Sequence, residues 1–561
     1  MADNYVVENM LLDLKHKIHE MLQKIGTESS FHGIVLRKKS RDLKSGDIIL
    51  PRGCIKASEE KISQFLSLAE SQLLCGSHIA RLAQDKFSVL AVFLNRASVL
   101  QTVLNEVQEC GSQYGLRKSK DCLGCIALNI ISEEKAGVSM SETSSLTDMR
   151  CSSLHSHVRN LLEAHRYSVI CLNDLSKLSC HPDSATHAQS IRDAILTRAL
   201  KYPKTVETSE ISDTKQEEKG SSESGENSRT TDCVIDLQCV IKDRGYAVGK
   251  DGFDKNLCKA TVLLDGVPSS VTESAIKLEE CVLHMLADQE LTGCINIVPQ
   301  SQAFRQQQVH LVWQALSDRC VPQSHLTVGP VIQKSDSAVQ SDPCENTAKL
   351  FQKLRLEQMT EAAEMRYGEA VEDEARKNQI TQLTQASITF DILQNASHVQ
   401  LHLSACSPGE GLESRTGAFI MYNTARLATL FEHFSQGVKK GIYPPLPSLK
   451  ETDFTLLREE EEWELLFLFI SRFPETVHQS VECVIPSDGK IAAKVHTHKI
   501  SNFLVGFSKR LSSYYSRYHI LGGGELHLLP LMFARLHLMR AAHQVLLNAL
   551  RLIGLEALDH L

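Results

Sequence analysis

The sequence lacks the features of a membrane or secreted protein. No apolar run is long enough to cross a bilayer, since even the run over residues 465–470 is short. No apolar segment follows the first four residues, which argues against a secretory leader. The 17 cysteines show no regular spacing, and this usage is typical of a reducing compartment. We therefore expect a cytoplasmic protein, with the nucleus as an alternative, and no membrane partner.

The chain also lacks the positive charge of a general polyanion binder. Its formal net charge is -8 and its isoelectric point is near 6.3, so any contact with nucleic acid must be local. We do not expect DNA as a partner. With 42% hydrophobic and 23% charged residues, the composition is that of an ordinary globular protein, and 561 residues are enough for several domains.

Motifs for metals and cofactors are missing as well. Cys122 and Cys125 form a CxxC pair, but no second ligand pair follows at the spacing that a zinc site needs. We interpret the two cysteines as flanking the start of a buried strand. The glycine run 522–524 follows an amphipathic helix rather than a strand, so it predicts a helix end and not a phosphate loop. We expect no cofactor and no metal.

Positive charge is concentrated at the C-terminal end, where residues 490–561 contain nine Lys or Arg and three Asp or Glu. The spacing predicts two amphipathic helices, one over residues 500–521 and one that ends the chain. The final helix has an apolar face made of Met539, Ala542, Leu546, Ala549 and Ile553. A second face carries His537, Arg540, Gln544, Asn548 and Arg551, and the preceding helix adds Lys499, Arg510 and Arg517.

The second face of the final helix is rich in hydrogen-bond donors and has no acid. Such a face suits a phosphate backbone or base edges. The alternative is a solvated helix surface, because charge on an exposed face is usually there for solubility.

Negative charge is concentrated just before this basic end. Residues 451–464 contain seven acids and a single basic residue, Arg458. We predict a loop and the start of a helix there, because carboxylates complement the helix dipole at that end.

A family resemblance favours the functional interpretation of the basic end. The segment RAAHQVLLNALRLIGLEALDHL, residues 540–561, is similar to the C-terminal end of arginyl-tRNA synthetases, which belongs to the DALR anticodon-binding domain. The resemblance spans most of the chain, is strong from about residue 381 and faint before it, and includes Tyr422 and Arg426, which share one helix face at positions i and i+4. It implies an all-α DALR anticodon-binding bundle over residues 381–561 in which these side chains bind tRNA. Tyr422 is equally consistent with a place in the core.

The N-terminal region, residues 1–137, resembles the additional domain of the same enzymes, which leans on the tRNA elbow. We predict helices over residues 6–25, 59–83 and 97–110. Strands are predicted over residues 87–94 and 125–131.

Residues 138–345 resemble the nucleotide-binding domain of class I synthetases, but two catalytic elements have changed. These enzymes carry His-x-Gly-His before a helix, and the imidazoles donate to ATP phosphates during adenylation. Here the corresponding positions are Ser145, Leu146, Thr147 and Asp148, and the carboxylate of Asp148 would repel phosphate. In the later catalytic loop only Lys334 remains, followed by Ser335 and Asp336.

The fold class that we predict is an α/β degenerate class I synthetase-like (Rossmann-like) region followed by an all-α DALR anticodon-binding bundle. Residues 205–231 are rich in Ser, Glu and Thr and lack aromatic residues, so we predict a disordered insert there. A second loose stretch is predicted near residues 335–345, and a connecting helix over residues 346–380.

The resemblance to non-catalytic DALR-domain relatives of these enzymes implies an adaptor without enzymatic activity. Such an adaptor would recognise arginine tRNA and present it to a tRNA 3-methylcytidine methyltransferase. No S-adenosylmethionine motif is evident in the sequence, so the methyl transfer would belong to the partner. Two alternatives stay open: an arginyl-tRNA ligase with divergent ATP motifs, and a protein scaffold that does not bind RNA.

Overall fold

The computed structural model describes most of the chain in separate stretches. Both the insert predicted over residues 205–231 and the stretch 335–345 lie outside the described residues. The described residues are 10–26, 28–29, 34–36, 43, 45–74, 78–84, 87–117, 121–131, 145–172, 234–250, 252–263, 270–285, 291–317, 321–334, 348–367, 373–404, 416–481, 484–486, 491–492 and 496–558.

The N-terminal region combines helices with a small antiparallel sheet. Its helices are α1 (Met10–Lys24), α2 (Glu59–Leu73) and α3 (Arg96–Cys110). Its strands are β1 (Glu28–Ser29), β2 (Val35–Leu36), β3 (Ile48–Pro51), β4 (Ile55–Lys56), β5 (Ile79–Ala83) and β6 (Ser88–Leu94), and the main sheet has the order β2-β3-β6-β5. The helix predicted over residues 59–83 is wrong over residues 79–83, because β5 is a strand paired with β6.

The middle of the chain is built on a parallel sheet. Its strands are β7 (Gly124–Ile130), β8 (Tyr167–Cys171), β11 (Leu291–Pro299) and β12 (Gln323–Val328), in the order β12-β11-β7-β8. The remaining elements are α4 (Leu146–Ala164), β9 (Val234–Asp236), α5 (Leu237–Asp243), β10 (Thr261–Leu263), α6 (Ser270–Met285) and α7 (Ala303–Leu316). Strand β7 was predicted within the 1–137 region, but it pairs with β11 and β8 and so belongs to this sheet.

The parallel sheet separates two cores. Ile126 and Leu128 of β7 face the main core, which also contains the buried side of α4 and continues into the C-terminal helices. Cys125 and Ala127 face a second core, together with Trp313 of α7. Burial on both faces explains why the strands read as continuous apolar runs rather than as alternating patterns.

The C-terminal region is helical. Its helices are α8 (Ala348–Tyr367), α9 (Glu374–Leu393), α10 (Thr416–Lys439), α11 (Glu460–Glu464), α12 (Phe473–Val481), α13 (His498–Arg517) and α14 (Leu529–Leu552). The predicted connecting helix over residues 346–380 is two helices, and α9 runs through the predicted boundary at residue 380. A short parallel pair, β13 (Val331–Lys334) with β14 (Leu401–Ser404), links the α/β region to this one. Among the residues that the structure describes, no helix combines the length and apolar character needed to cross a bilayer.

Direct contacts join the N-terminal region to the C-terminal helices. The indole N–H of Trp463 donates to the Asp47 carboxylate at 3.0 Å, and Asp47 is buried. The Tyr114 hydroxyl donates to the Ile470 carbonyl, also at 3.0 Å. These buried hydrogen bonds fix the first domain on the bundle, since breaking either one would leave a buried polar group without a partner.

Buried histidines make the stability of this fold depend on pH. Burial lowers the pKa of His165 and of His310 to about 4. Because both folded-state values lie below the usual 6.5, their contribution is present above pH 6.5 and is lost as the pH falls towards 4. Lowering the pH from 6.5 to 5 should reduce the unfolding free energy by roughly 2 kcal/mol for each histidine.

The measurement is urea unfolding at pH 7.5, 6.5 and 5.5, with His165→Gln as the comparison. We expect a decrease in unfolding free energy below pH 6.5 that is shallower in the variant. Equal slopes would show that His165 does not carry this dependence.

Candidate nucleic-acid interface

Two arginines of the helical bundle lie over aromatic rings of neighbouring helices. The guanidinium carbon of Arg426 in α10 is 3.8 Å from the ring centroid of Tyr515 in α13. That of Arg540 in α14 is 5.9 Å from the ring of Phe431 in α10. A guanidinium over a ring is fixed in place and still has N–H donors for phosphate or base edges. Arg540 is exposed, so this arrangement can meet a ligand from solvent.

Tyr422 lies one turn before Arg426 on α10 and is half-buried. Residues four apart on a helix share one face. Tyr422 and Arg426 therefore lie on the same side of α10, which is the spacing that the sequence predicted. The role of this pair in RNA binding stays a prediction.

Residues 459–464, which we call the acidic segment, contact several basic side chains of the bundle. Arg510 Nε is 2.8 Å from a carboxylate oxygen of Glu464, and Arg517 pairs with Glu461. Arg535, which the sequence analysis did not select, pairs with the buried Glu462 at 2.9 Å. Arg510 and Arg517 are thus neutralised in part by the protein's own carboxylates. An RNA contact by either would have to compete with these ion pairs or share the donors.

Lys499, at the start of α13, is half-buried. Its Nζ donates to the side-chain oxygen of Gln479 at 3.4 Å. Because the Gln479 side chain is neutral, this contact does not compensate the charge of Lys499.

The polar face predicted for α14 is wrong at two positions, because His537 and Asn548 are buried. The His537 ring nitrogen Nε2 is 3.0 Å from the carbonyl oxygen of Pro447. The Asn548 amide donates to the carbonyls of Gly111 and Tyr114, both at 3.0 Å, and its oxygen accepts from Gln544 at 2.9 Å. Both buried side chains satisfy carbonyls of distant segments instead of facing solvent. Arg540 and Arg551 are exposed, and Gln544 is half-buried.

The burial of Asn548 leads to a prediction. Asn548→Leu should lower the unfolding free energy by about 2 kcal/mol, because two buried carbonyls lose their donor. Urea unfolding measures the effect. Gln544→Ala, which removes only the outer hydrogen bond, serves as the control and should cost less. Equal stabilities of Asn548→Leu and the wild type would mean that these hydrogen bonds contribute nothing to the fold.

The second candidate site is the crevice at the carboxyl ends of the parallel strands. The strand order reverses between β7 and β11, and sheets of this kind bind ligands at that point. Helix α4 begins there with a capping box. The Ser145 hydroxyl accepts from the Asp148 N–H at 3.0 Å, and the Asp148 carboxylate accepts from the Ser145 N–H at 3.2 Å. The protein's own carboxylate therefore occupies the helix end that would otherwise favour a phosphate.

The first turns of α4 also hydrogen-bond to other segments at this end of the sheet. The Thr147 hydroxyl accepts from the Val331 N–H at 3.2 Å. The buried guanidinium of Arg150 donates to the carbonyls of Gly329, Val399 and Ala396 at 2.9, 2.7 and 2.9 Å. A Cβ atom on Gly329 would lie 2.7 Å from the Val399 backbone, so the two segments are in close contact. The first turns of α4 therefore pack against the residues after β12 and the segment before β14.

The cysteine pair is placed as predicted, at the start of a strand. Cys125 is buried in β7, where burial raises the pKa of its thiol, and Cys122 is exposed just before the strand. Within the described residues no group of three or more His, Cys, Asp or Glu side chains is arranged to hold a metal ion.

Comparisons with known proteins agree with this architecture. Residues 420–561 match the family model of the DALR anticodon binding domain. DALR anticodon-binding domain-containing protein 3 of Danio rerio is 29% identical over 93% of this chain and 92% of its own length. Its Mus musculus counterpart is 35% identical over 58% of this chain, and that match spans only 60% of the mouse protein. An arginine–tRNA ligase of Bacillus pumilus is 30% identical over 25% of this chain and 21% of its own.

Two solved structures share the fold. Arginyl-tRNA synthetase of Thermus thermophilus is 12% identical, with a TM-score of 0.57 over 98% of this chain and all of that one. The Plasmodium falciparum enzyme is 11% identical, with a TM-score of 0.58 over 99% of this chain and all of its own. The predicted fold is therefore confirmed: an arginyl-tRNA synthetase-like fold with a parallel α/β region followed by a mostly helical DALR domain.

Proposed function

We propose that this chain, whose arginyl-tRNA synthetase-like fold ends in a DALR anticodon-binding domain, binds tRNA without aminoacylating it. The observation that carries the proposal is a contrast between two sites. The bundle offers Arg426 and Arg540 over aromatic rings. The start of α4, in contrast, is closed by the Asp148 carboxylate.

The RNA would lie against the helices α10, α13 and α14. Arg426 and Arg540 would bind phosphates or bases, and Tyr422 would stack on an unpaired base. Arg551 adds an exposed cation near the end of α14. Arg510 and Arg517 would make weaker RNA contacts, because their guanidiniums already pair with Glu464 and Glu461.

The closed crevice supports the absence of adenylation. Transfer of an adenylyl group develops negative charge on the phosphates, and catalysis needs fixed donors or cations there. At the start of α4 the Ser145 N–H donates to the Asp148 carboxylate, and Arg150 donates to backbone carbonyls.

The finer proposal is that the bound RNA is arginine tRNA and that the chain presents it to a tRNA 3-methylcytidine methyltransferase. It rests on the resemblance described above and on the relatives, which carry the name of an anticodon-binding domain. The methyl donor chemistry would be supplied by the partner, while this chain would supply recognition of the tRNA.

The experiment is crosslinking of the tagged full chain in cells, followed by sequencing of the bound RNA and identification of the proteins that copurify. We expect enrichment of arginine tRNAs together with a methyltransferase. An absence of tRNA, or an indiscriminate mixture, would contradict the adaptor and favour a scaffold without RNA binding.

A second assay addresses the enzymatic alternative. ATP–pyrophosphate exchange is measured with the purified chain, arginine and tRNA, and we expect none above background. Arginine-dependent exchange would overturn the non-catalytic proposal and favour a ligase with divergent ATP motifs.

A further inference from the structure

A pocket of about 250 Å³ lies where the three parts of the protein meet. Its walls come from the short turn Gly111–Gln113, the C-terminal end of α4 and the C-terminal end of α14. Helix α4 has 19 residues and is therefore about 28 Å long. The pocket is thus at the opposite edge of the parallel sheet from the crevice where α4 begins.

The pocket combines three kinds of surface. Leu116, Ala164 and Leu552 supply apolar area. Side-chain amides come from Gln113, Asn160 and Asn548, and guanidiniums come from Arg166 and Arg551. The Asn160 amide donates to the Arg551 carbonyl at 3.1 Å, which ties α4 to α14 and fixes the wall between them.

Arg166 has an unusual backbone. Its φ is 67°, which makes it the one non-glycine residue with positive φ in the described part of the chain. It lies just after α4, where helices commonly end with a glycine in this conformation. A non-glycine residue there costs about 1 kcal/mol. The local fold would accept glycine, so the guanidinium beside the pocket has to be explained by something other than helix termination.

The charges around the pocket do not favour a phosphate. The lining contains one acid, Glu163, which pairs with Arg159 at 2.8 Å. Its cations are Arg166 and Arg551. Two helices, however, point their carbonyl ends at the pocket, and these partial negative charges oppose an anion. Complementing those helix ends is one reason for arginines here, but it does not explain the apolar floor or the amides.

We propose that the pocket binds one unstacked nucleobase of the RNA that the bundle holds, an inference that rests on the proposed function. An unpaired base presents a flat apolar face and an edge with both donors and acceptors. The guanidiniums of Arg166 and Arg551 offer planes for stacking, and Gln113 and Asn160 offer donors and acceptors for the edge. The volume is below the roughly 300 Å³ at which pockets for drug-sized ligands begin, so it suits a group as small as a single base.

The first test is Arg166→Gly, measured by tRNA titration and by urea unfolding. The substitution relieves the positive φ, so the unfolding midpoint should stay the same or rise. The affinity for tRNA should fall about tenfold, as expected for the loss of one stacked base. Misfolding cannot produce this combination of unimpaired stability and weaker binding.

The second test changes no charge. Ser112→Trp places a large side chain at the pocket from an exposed position, and Ser71→Trp on α2 is the matched control. We expect weaker tRNA binding for Ser112→Trp with an unchanged dependence of log K on log salt, because the variant keeps every cation that could hold a phosphate. Chemical probing with wild-type protein should show one base protected at its Watson–Crick edge, and that protection should disappear in the variant.

The outcomes separate this inference from the proposed function. If the wild-type chain binds no tRNA, the proposed function fails. If it binds tRNA but Ser112→Trp binds equally well, the pocket does not hold a base. If Arg166→Gly only makes the salt dependence shallower while Ser112→Trp has no effect, Arg166 contacts a phosphate and the nucleobase proposal is overturned.

Discussion

Replacing Arg150 by methionine is expected to lower the unfolding free energy by about 4 kcal/mol, because three buried carbonyls lose a charged donor. The guanidinium of Arg150 is fully buried and donates to Gly329, Ala396 and Val399. These carbonyls lie between β12 and β14, so one side chain of α4 joins two other segments of the chain. Methionine fills similar space and offers no donor.

Urea unfolding measures the effect, and Arg159→Met is the matched control on the same helix. Arg159 is half-exposed and pairs with Glu163 four residues on, so its loss should cost less than about 0.5 kcal/mol. Similar stabilities of the Arg150→Met protein and the wild type would mean that the three carbonyls find other donors.

The double variant Arg426→Gln with Arg540→Gln is expected to weaken tRNA binding about 100-fold, which corresponds to about 3 kcal/mol for two charge-assisted contacts. The slope of log K against log salt should become shallower by about two, because two phosphates would no longer be neutralised. Both guanidiniums lie over aromatic rings of the helices against which the RNA would lie. Filter binding at several salt concentrations gives both quantities.

Lys353→Gln is the control for a general loss of positive charge. Lys353 is exposed on α8, 3.8 Å from Glu357, and α8 is not one of the three helices proposed to contact the RNA. Lys353→Gln should leave the tRNA affinity and the salt slope nearly unchanged. If the control weakened binding as much as the double variant did, the RNA would be held by diffuse charge rather than by Arg426 and Arg540.

The apolar pattern of the final helix was sufficient to predict its buried face, since Met539, Ala542 and Leu546 are all fully buried. The exposure of the polar face was harder to predict. Asn548 bonds to Gly111 and Tyr114, more than 430 residues away in sequence. Helical spacing reports which residues share a face but not whether a distant carbonyl comes to cover it. Periodicity alone therefore could not separate Asn548 from the exposed Arg551.

The crevice contains a sequence signal that went unused in the prediction. Ser145 and Asp148 have the Ser-x-x-acid spacing of a capping box, and the structure shows both of its hydrogen bonds. That spacing predicts an internally satisfied helix end at the same four positions where the imidazoles are missing. The contacts of Arg150 could not be predicted, because they depend on how β12 and β14 meet.

The acidic segment was also predicted only in part. Its run of carboxylates predicted a helix start, which the structure confirms with the capping box of Glu459 and Glu462. The same run gave no sign that Glu461 and Glu464 would neutralise Arg517 and Arg510. Pairing between charged surfaces far apart in sequence is set by tertiary packing, so net charge over a stretch overstates the charge available to a ligand.

The two tryptophans of the chain give the protein a pair of built-in optical reporters. Trp313 lies in the second core and donates to Glu279, while Trp463 stacks on Phe467 and donates to Asp47 of the N-terminal region. Intrinsic fluorescence therefore originates from one indole behind the parallel sheet and one at the seam between the first domain and the bundle. Undocking of that seam would redshift the emission of Trp463 alone, so loosening of the domains and melting of the sheet become separable in a single titration.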